Sequence, residues 1–290
     1  MEEKRKYLEL TSDVVFKEFM MSENTREFKA DLINAITNLP IKDLLKAEYS
    51  SKELVGKNKK DKVFRTDIIV EIKDKNILVL EMNHQYYIGV TAKTHDYSSR
   101  LLSEQLEQGE DYTEIKEVIE ISFNDFSVLD HNRLINELAI VNLSTGKEVP
   151  EMNWRGFQID LKTLTDKCYN KDEEKIVDLF KIFSNDENII KDLKGKNENM
   201  DKALNELERI SSDERIIGLY DVEAVERKVL NSKIKTAELI GMEEGMEKGM
   251  KKGTENVASN MLRKGRSIED IADCTGLTPE RINELKESLK

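Results

Sequence analysis

The segment TDIIVEIKDKNILVLEMNHQ, residues 66–85, consists of two apolar strands on either side of a polar turn. Side chains alternate between the two faces of a strand. Both faces of these strands are largely apolar, which is typical of strands at the centre of a sheet that is covered on both sides. Carboxylates interrupt this pattern at Asp67 and Glu81, and Asn83 and Gln85 follow Glu81 at two-residue steps.

The turn decides whether the two carboxylates meet. A three-residue loop over 74–76 would place Ile69 opposite Glu81 and Asp67 opposite Asn83, so that the polar groups share one face. A two-residue loop would move Asp67 to the other face. The asparagine at the third loop position favours the longer loop, because that position commonly needs a positive φ, which asparagine tolerates. We therefore predict a polar cluster on one face of the sheet.

Two carboxylates held together at the edge of a dry sheet repel each other unless a cation lies between them. Oxygen ligands without histidine or cysteine partners suit Mg²⁺ or Mn²⁺. Such an ion polarises a phosphoryl oxygen and lowers the pKa of a bound water. The alternative is a pair of partly exposed carboxylates at strand ends, bonded to Arg65 or Lys73.

Three segments carry a family resemblance: SDVVFKEFM (12–20), RTDIIVEIKDKNILVLEM (65–82) and YSSRLLSEQLEQGEDYTEIKEVIEISFNDF (97–126). The last is the most specific, through its order of Tyr-Ser-x-Arg, Gln-Leu and Gly-x-x-Tyr. Together they resemble the Rpn family of recombination-promoting nucleases, also called putative transposases, of the PD-(D/E)xK superfamily. The resemblance implies a restriction-endonuclease-like α/β fold, with a mixed central sheet flanked by helices. It also implies Mg²⁺-dependent DNA cleavage linked to recombination or mobile elements.

By the same resemblance, Asp67 and Glu81 would be metal ligands and would act in catalysis with Asn83. This branch of the family usually has glutamine at the position of Asn83, so the side chain here is one methylene shorter. An amide carries no positive charge and can only orient water or substrate, so we predict slow cleavage. Gln85 lies about 6.6–6.8 Å further along an extended strand and would need a bulge to replace Asn83.

Three further residues are candidates for accessory roles. Asp13 is either an additional carboxylate of the metal site or a helix N-cap. Lys17, on the same predicted helix, faces either a phosphate or solvent. Arg100, on the helix predicted to cover the sheet, contacts either the DNA backbone or Glu104 at i+4.

Composition narrows the class of protein. A net charge of −12 over 290 residues argues against a protein that coats nucleic acid non-specifically, although KNKKDK (57–62) and RKGR (263–266) are local basic segments. Without an apolar run of about 18 residues or a signal-like N-terminus, we expect a cytoplasmic protein with no membrane contact. Cys168 and Cys274 are too few and too far apart for a disulfide framework or a cysteine-bound zinc.

The chain divides by pattern into a nuclease-like domain (1–165), a helical region (166–240), a glycine-repeat helix or linker (241–254) and a helix-turn-helix-like tail (255–290). In the repeat, GMEEGMEKGMKKG, glycines recur every four residues. We predict that it joins copies of the chain into a homo-oligomer; a flexible linker is the alternative. The tail binds either DNA or another protein. For the whole chain, the alternative to a nuclease is a weak or inactive nuclease-fold protein that binds DNA or proteins.

Overall fold

The computed structural model describes residues 6–51, 53–55, 63–65, 68–106, 111–129, 133–166, 171 and 173–289, with the backbone alone for 53–55, 63–65 and 165–166. The chain forms two compact units, Met1–Glu223 and Ala224–Lys290. Asp67 and the lysine-rich segment 57–62 lie outside the described residues, as do Cys168 and residues 107–110.

The α-helices are α1 (Asp13–Met21), α2 (Arg26–Thr37), α3 (Ile41–Leu44), α4 (Val90–Ser103), α5 (Lys162–Asp166), α6 (Val177–Phe180), α7 (Glu187–Lys191), α8 (Glu198–Ser212), α9 (Glu214–Arg263), α10 (Ile268–Thr275) and α11 (Pro279–Ser288). The strands are β1 (Glu48–Ser50), β2 (Glu53–Val55), β3 (Val63–Arg65), β4 (Ile68–Glu71), β5 (Asn76–Asn83), β6 (Glu117–Asn124), β7 (Ile135–Ala139), β8 (Val141–Asn142), β9 (Lys147–Glu148) and β10 (Trp154–Asp160).

Six strands form the central sheet of the first unit, in the order β1-β4-β5-β6-β10-β7. The three middle strands, β5, β6 and β10, run parallel to one another. The outer strands pair antiparallel, β4 with β5, β1 with β4 and β7 with β10. This is the mixed, helix-flanked sheet that the sequence predicts.

The hairpin between β4 and β5 has the predicted loop length but a different position. The N–H of Ile72 donates to the carbonyl of Asn76 at 2.9 Å, so the loop is 73–75. Asp74 takes the positive φ of 57°, and Asn76 instead begins β5, where its amide donates to Glu117 at 2.8 Å. The predicted pairing of Ile69 with Glu81 is therefore wrong, and Ile69 lies opposite Val79. A shift of two residues leaves every side chain on its predicted face.

One face of the sheet is an apolar core. Leu78, Leu80 and Met82 of β5 lie on it, beside Ile119, Ile121 and Phe123 of β6. Helix α1 packs here, with the Phe16 ring 5.6 Å from that of Phe123. Helical residues between 177 and 216 share the same core, and the Phe183 ring stacks on Phe123 at 5.1 Å.

The second unit contains a small helical cluster at its C-terminal end. Ala258 of α9, Ile271 of α10 and Ile282 of α11 form its fully buried centre. The Ser267 side chain caps α10 by accepting the N–H of Asp270 at 3.1 Å, and Gly276 supplies the turn after this helix with φ of 70°. The glycine repeat lies inside helix α9. No helix in the described part of the chain is both long and apolar enough to cross a membrane.

Candidate active site

The face of the sheet opposite the apolar core is polar. Strand register places Glu81 beside Ser122 and Asn83 beside Asn124, and places Gln158 and Asp160 of β10 next to these two β6 residues. Eight buried polar side chains of the described strands share the face: Glu81, Asn83, Glu120, Ser122, Asn124, Asn136, Gln158 and Asp160. Helix α4 covers this face and contacts it through Ser98, whose hydroxyl donates to Glu120 at 3.2 Å.

Glu81 is fully buried, with 1% of its surface exposed. The Nζ of Lys93 lies 3.4 Å from its Oε2. Lys93 comes from the first turn of α4, where its N–H donates to the carbonyl of Gly89, and Gly89 permits this helix start with φ of 99°. Lys93 was not among the site residues predicted from the sequence. A signal was available, since Lys93 and Tyr97 lie one turn apart on the helix predicted to cover the sheet.

Asn83 belongs to a line of hydrogen bonds that crosses three strands. Its Nδ2 donates to Oδ1 of Asn124 at 3.1 Å. The Nδ2 of Asn124 donates to Oε1 of Gln158 at 3.0 Å, and Nε2 of Gln158 donates to Oε1 of Glu120 at 3.3 Å. Asn83 is 7% exposed, so its amide is held by protein groups and not by bulk water.

Glu120 ends this line of bonds and is the second buried carboxylate of the face. Burial raises its pKa to about 7, against hydrogen bonds from Ser98, Trp154 and Gln158 that lower it. Gly156 faces Glu120 on the neighbouring strand. A Cβ at Gly156 would lie 3.0 Å from the Trp154 ring, so glycine leaves room for the indole, whose Nε1 donates to Ser98 at 3.0 Å.

Glu120 was also not predicted as a site residue, although the alternation of apolar and polar residues along its strand indicates the face on which it lies. In VIEISFN (118–124), isoleucine and phenylalanine occupy one face of the strand. Glu120, Ser122 and Asn124 therefore share the other face with the two predicted polar residues of β5.

Residues 10–237 match the family model described as PD-(D/E)XK nuclease family transposase. The chain belongs to this family. The match includes every strand of the central sheet and helix α4, and the predicted restriction-endonuclease-like α/β fold is confirmed. Membership supports a nuclease- or transposase-like function acting on DNA, in a family whose members generally use divalent metals. No curated protein and no solved structure matches the chain.

The polar face fits the hard cation that PD-(D/E)XK nucleases generally use. The side chains beside Glu81 offer oxygen atoms, which hard cations prefer. Ser122 is the register partner of Glu81 on strand β6. Its Oγ is buried and has no hydrogen-bond partner among the described residues. A buried carboxylate next to an unsatisfied hydroxyl is an arrangement that a bound ion or its water would satisfy.

Asp13 belongs to a different cluster. One carboxylate oxygen each from Asp13 and Glu223 and one ring nitrogen of His84 lie within 4.8 Å of one another. The Glu223 carboxylate already accepts the Ser12 hydroxyl at 2.6 Å and the N–H groups of Asp13 and Val14 at 3.2 and 3.3 Å. It caps the N-terminus of α1, where the helix dipole disfavours a cation. We therefore interpret this cluster as a helix cap, with Ser12 as the N-cap residue.

The other accessory candidates lie on three different segments of the fold. Lys17 is half-buried on α1, the helix that covers the apolar face. Gln85 follows the end of β5 in a bend, so the prediction that it continues the strand face is wrong. Arg100 lies on α4 and its Nε donates to Asp96 at 3.1 Å. That contact is at i−4, whereas the sequence pointed to Glu104 at i+4.

Proposed function

We propose that the first unit is a DNA endonuclease that depends on Mg²⁺ or Mn²⁺ and acts in recombination or at mobile elements. Asp67 and Glu81 would hold the ion, and Asn83 would orient water or substrate. When bound, the ion would polarise the phosphate and activate a water. The observation that carries the proposal is the fully buried Glu81, on the polar face of a PD-(D/E)XK sheet, beside oxygen donors.

The observed register supports pairing the two carboxylates. Ile68 lies opposite Leu80 in the antiparallel pair of β4 and β5. We therefore expect Asp67 to act with Glu81 directly, and not with Asn83, to which the sequence-based register assigned it.

Lys93 would supply the positive charge that Asn83 cannot. The sequence pattern of the superfamily ends in a lysine, and the corresponding residue here is a neutral amide. Lys93 brings an ammonium group within 3.4 Å of the Glu81 carboxylate from helix α4. If the Glu81 carboxylate bound a cation, the Lys93 ammonium group would be able to contact a phosphate oxygen. It would then stabilise the negative charge that develops on this oxygen.

The experiment that tests the function combines cleavage with metal binding. Plasmid DNA is incubated with the full chain in Mg²⁺, in Mn²⁺ and in EDTA, and Mn²⁺ binding is measured by electron paramagnetic resonance. The proposal expects nicking or linearisation only with metal, together with a bound Mn²⁺ signal that Glu81→Gln removes. The rival function, a DNA- or protein-binding protein on a nuclease scaffold, expects DNA retention in a gel without cleavage and no Mn²⁺ signal that depends on Glu81.

Replacing Lys93 should slow cleavage by about 10²-fold, the usual effect of removing one preorganised electrostatic group. Lys93→Met keeps the length of the side chain and removes its charge. The matched control is Lys17→Met on α1, which we expect to change the rate by less than about twofold, because α1 covers the opposite face. Single-turnover rates with saturating Mg²⁺ measure both. A larger loss in Lys17→Met than in Lys93→Met would assign the phosphate contact to α1.

We also propose that helix α9 joins two copies of the chain through its glycine repeat. Met242, Met246 and Met250 expose 70, 58 and 68% of their surfaces, and no described atom lies within 4 Å of a Cβ built on Gly245 or Gly249. The four repeat glycines cost about 3–4 kcal/mol relative to alanine, which close packing against a second helix would offset. Charge favours an antiparallel partner, since Glu243 and Glu244 precede Lys251 and Lys252.

Deleting 241–290 should reduce the number of chains per particle from two to one, measured as the light-scattering mass divided by the mass of the shortened chain, and should leave the sheet folded. Charge reversal then tests the direction. In an antiparallel pair, E243K/E244K places lysines opposite Lys251 and Lys252 and should give monomers. Adding K251E/K252E to the same chain should restore the dimer. In a parallel pair the added changes should not restore the dimer. An unchanged number of chains per particle after the deletion would overturn the proposal.

A further inference from the structure

The line of hydrogen bonds under Asn83 has a direction. Each of its three amides donates through its nitrogen to the next oxygen: Asn83 to Asn124, Asn124 to Gln158, and Gln158 to Glu120. All of these side chains are buried, with exposures between 1 and 7%. In a buried line, reversing any one amide would bring two oxygens or two N–H groups together and leave both without partners.

The direction is set by groups that can only accept. An ionised carboxylate has no proton to donate, so Glu120 requires Gln158 to present its nitrogen, and Gln158 then turns its oxygen to Asn124. The backbone carbonyl of Ser122 acts in the same sense, because it accepts from Nδ2 of Asn124 at 3.2 Å. Asn124 is left with its oxygen toward Asn83.

We propose that Glu120 is a positioning residue that, through Gln158 and Asn124, fixes which way the amide of Asn83 points. The nitrogen of that amide donates to Asn124 on strand β6. In a planar amide the oxygen and the nitrogen point in different directions from the carbonyl carbon, so Oδ1 of Asn83 is not directed at the oxygen of Asn124. Neither Glu120 nor Gln158 is one of the PD-(D/E)xK motif positions, which in this chain are Asp67, Glu81 and Asn83.

This polarity changes what the third motif position can do. A lysine or an amide nitrogen there would donate to a phosphate or a water. Asn83 instead presents an oxygen, which accepts a hydrogen bond from water or ligates a hard cation. Only this chemical consequence depends on the proposed nuclease function; the polarity itself is a property of the fold.

The polarity is tested by comparing Asn83→Leu with Asn83→Asp, measured as Tm in EDTA at a pH well above 7, where Glu120 is ionised. Leucine only removes the bond to Asn124. Aspartate places an oxygen against the oxygen of Asn124, so it should lower Tm more than leucine does. If Asn83 pointed its oxygen at β6, aspartate would preserve the contact and would lower Tm less than leucine.

The role of Glu120 is tested by a double-mutant cycle. Glu120→Gln can donate, so it removes one of the two groups that oppose reversal, and a reversed line would partner an aspartate at position 83 at the expense of the bond from Asn124 to the Ser122 carbonyl. The double variant should melt about 2–8 °C above the value expected from adding the two single effects. Asn83→Asp combined with Glu137→Gln, an exposed strand glutamate, should be additive. Additivity in the Glu120 cycle would overturn the positioning role.

Charge repulsion between positions 83 and 120 could also give coupling, and Gln158→Met separates the two causes. In that background the line of bonds is cut while both charges remain. The proposal expects the coupling to vanish, and coupling that persists overturns it. If the Gln158→Met chain does not fold, the side-chain NH₂ signal of Asn83 in wild type, assigned by its loss in Asn83→Asp, replaces the test. Glu120→Gln should shift that signal, whereas Glu137→Gln should not; equal responses overturn the proposal.

Discussion

Glu81→Gln should abolish metal-dependent DNA cleavage, with a loss of about 10³-fold or more, at the upper end of the effect of removing one preorganised electrostatic group. The carboxylate is 1% exposed, so its charge is not screened by water and has a large effect on a nearby cation. Glutamine keeps the shape of the side chain and removes its charge. Single-turnover cleavage of plasmid DNA in saturating Mg²⁺ measures the loss, and we expect the same result from Asp67→Ala.

The matched control for Glu81→Gln is Glu137→Gln, on strand β7 of the same sheet. Its carboxylate is 58% exposed and its ion pair with Arg155 is long, at 3.7 Å, so cleavage should stay within about twofold of wild type. Circular dichroism and Tm should show both variants folded. Full cleavage by Glu81→Gln would contradict the site assignment, and loss of cleavage in both variants would point to a general effect of charge.

The central hairpin shows how much of this fold local sequence determines. Alternation of apolar residues predicted two covered strands, and β4 and β5 are buried at the centre of the sheet. The hairpin sequence also predicted a loop of three residues correctly, but it placed this loop one residue too far along the chain. Asp74 and Asn76 both tolerate a positive φ, and the choice between them depends on Glu117, 41 residues away, which binds the amide of Asn76. A contact of that range is not visible in the hairpin itself.

The candidate site was predictable only where it lies on one strand. Glu81 and Asn83 interrupt an apolar pattern and stand out from it. Their partners come from elsewhere in the chain: Lys93 from helix α4 and Glu120 from strand β6. Whether a helix lysine lies over a given strand residue depends on helix packing, which the sequence leaves open. The sequence likewise does not show that Glu223 lies beside Asp13, because the two residues are 210 positions apart in the chain.

A chain that ends at residue 165 should not fold, although sequence patterns placed the end of the nuclease-like domain there. The first compact unit extends to Glu223. Its core contains eleven buried apolar residues from 180 onward: Phe180, Ile182, Phe183, Ile190, Leu193, Met200, Ala203, Leu204, Leu207, Ile210 and Ile216. Without them, the apolar face of the sheet would be open to water around Phe123, where each lost large side chain costs about 2–5 kcal/mol.

A buried polar contact strengthens the same connection. Glu206 of α8 is 3% exposed, and its carboxylate accepts the Ser22 hydroxyl at 2.6 Å and the Asn24 amide at 2.8 Å. Hydrogen bonds from Arg209, Ser22 and Asn24 lower its pKa to about 2. A carboxyl whose pKa is lowered by folding stabilises the folded state above its unfolded pKa, and this contribution is lost as the pH falls toward 2. Helix α8 is therefore joined to the turn between α1 and α2 at neutral pH.

The matched comparison for the chain ending at 165 is one ending at 237, the last residue of the family match. We expect the shorter chain to show no cooperative thermal transition. The longer one should keep one, because every buried residue of the first unit is present. A single substitution measures the contribution of one core residue. Phe183→Ala in the full chain should lower the free energy of unfolding by about 3–5 kcal/mol and the Tm by about 2–4 °C for each kcal/mol. Cooperative melting of the chain ending at 165 would show that the sheet and its polar face fold without the later helices.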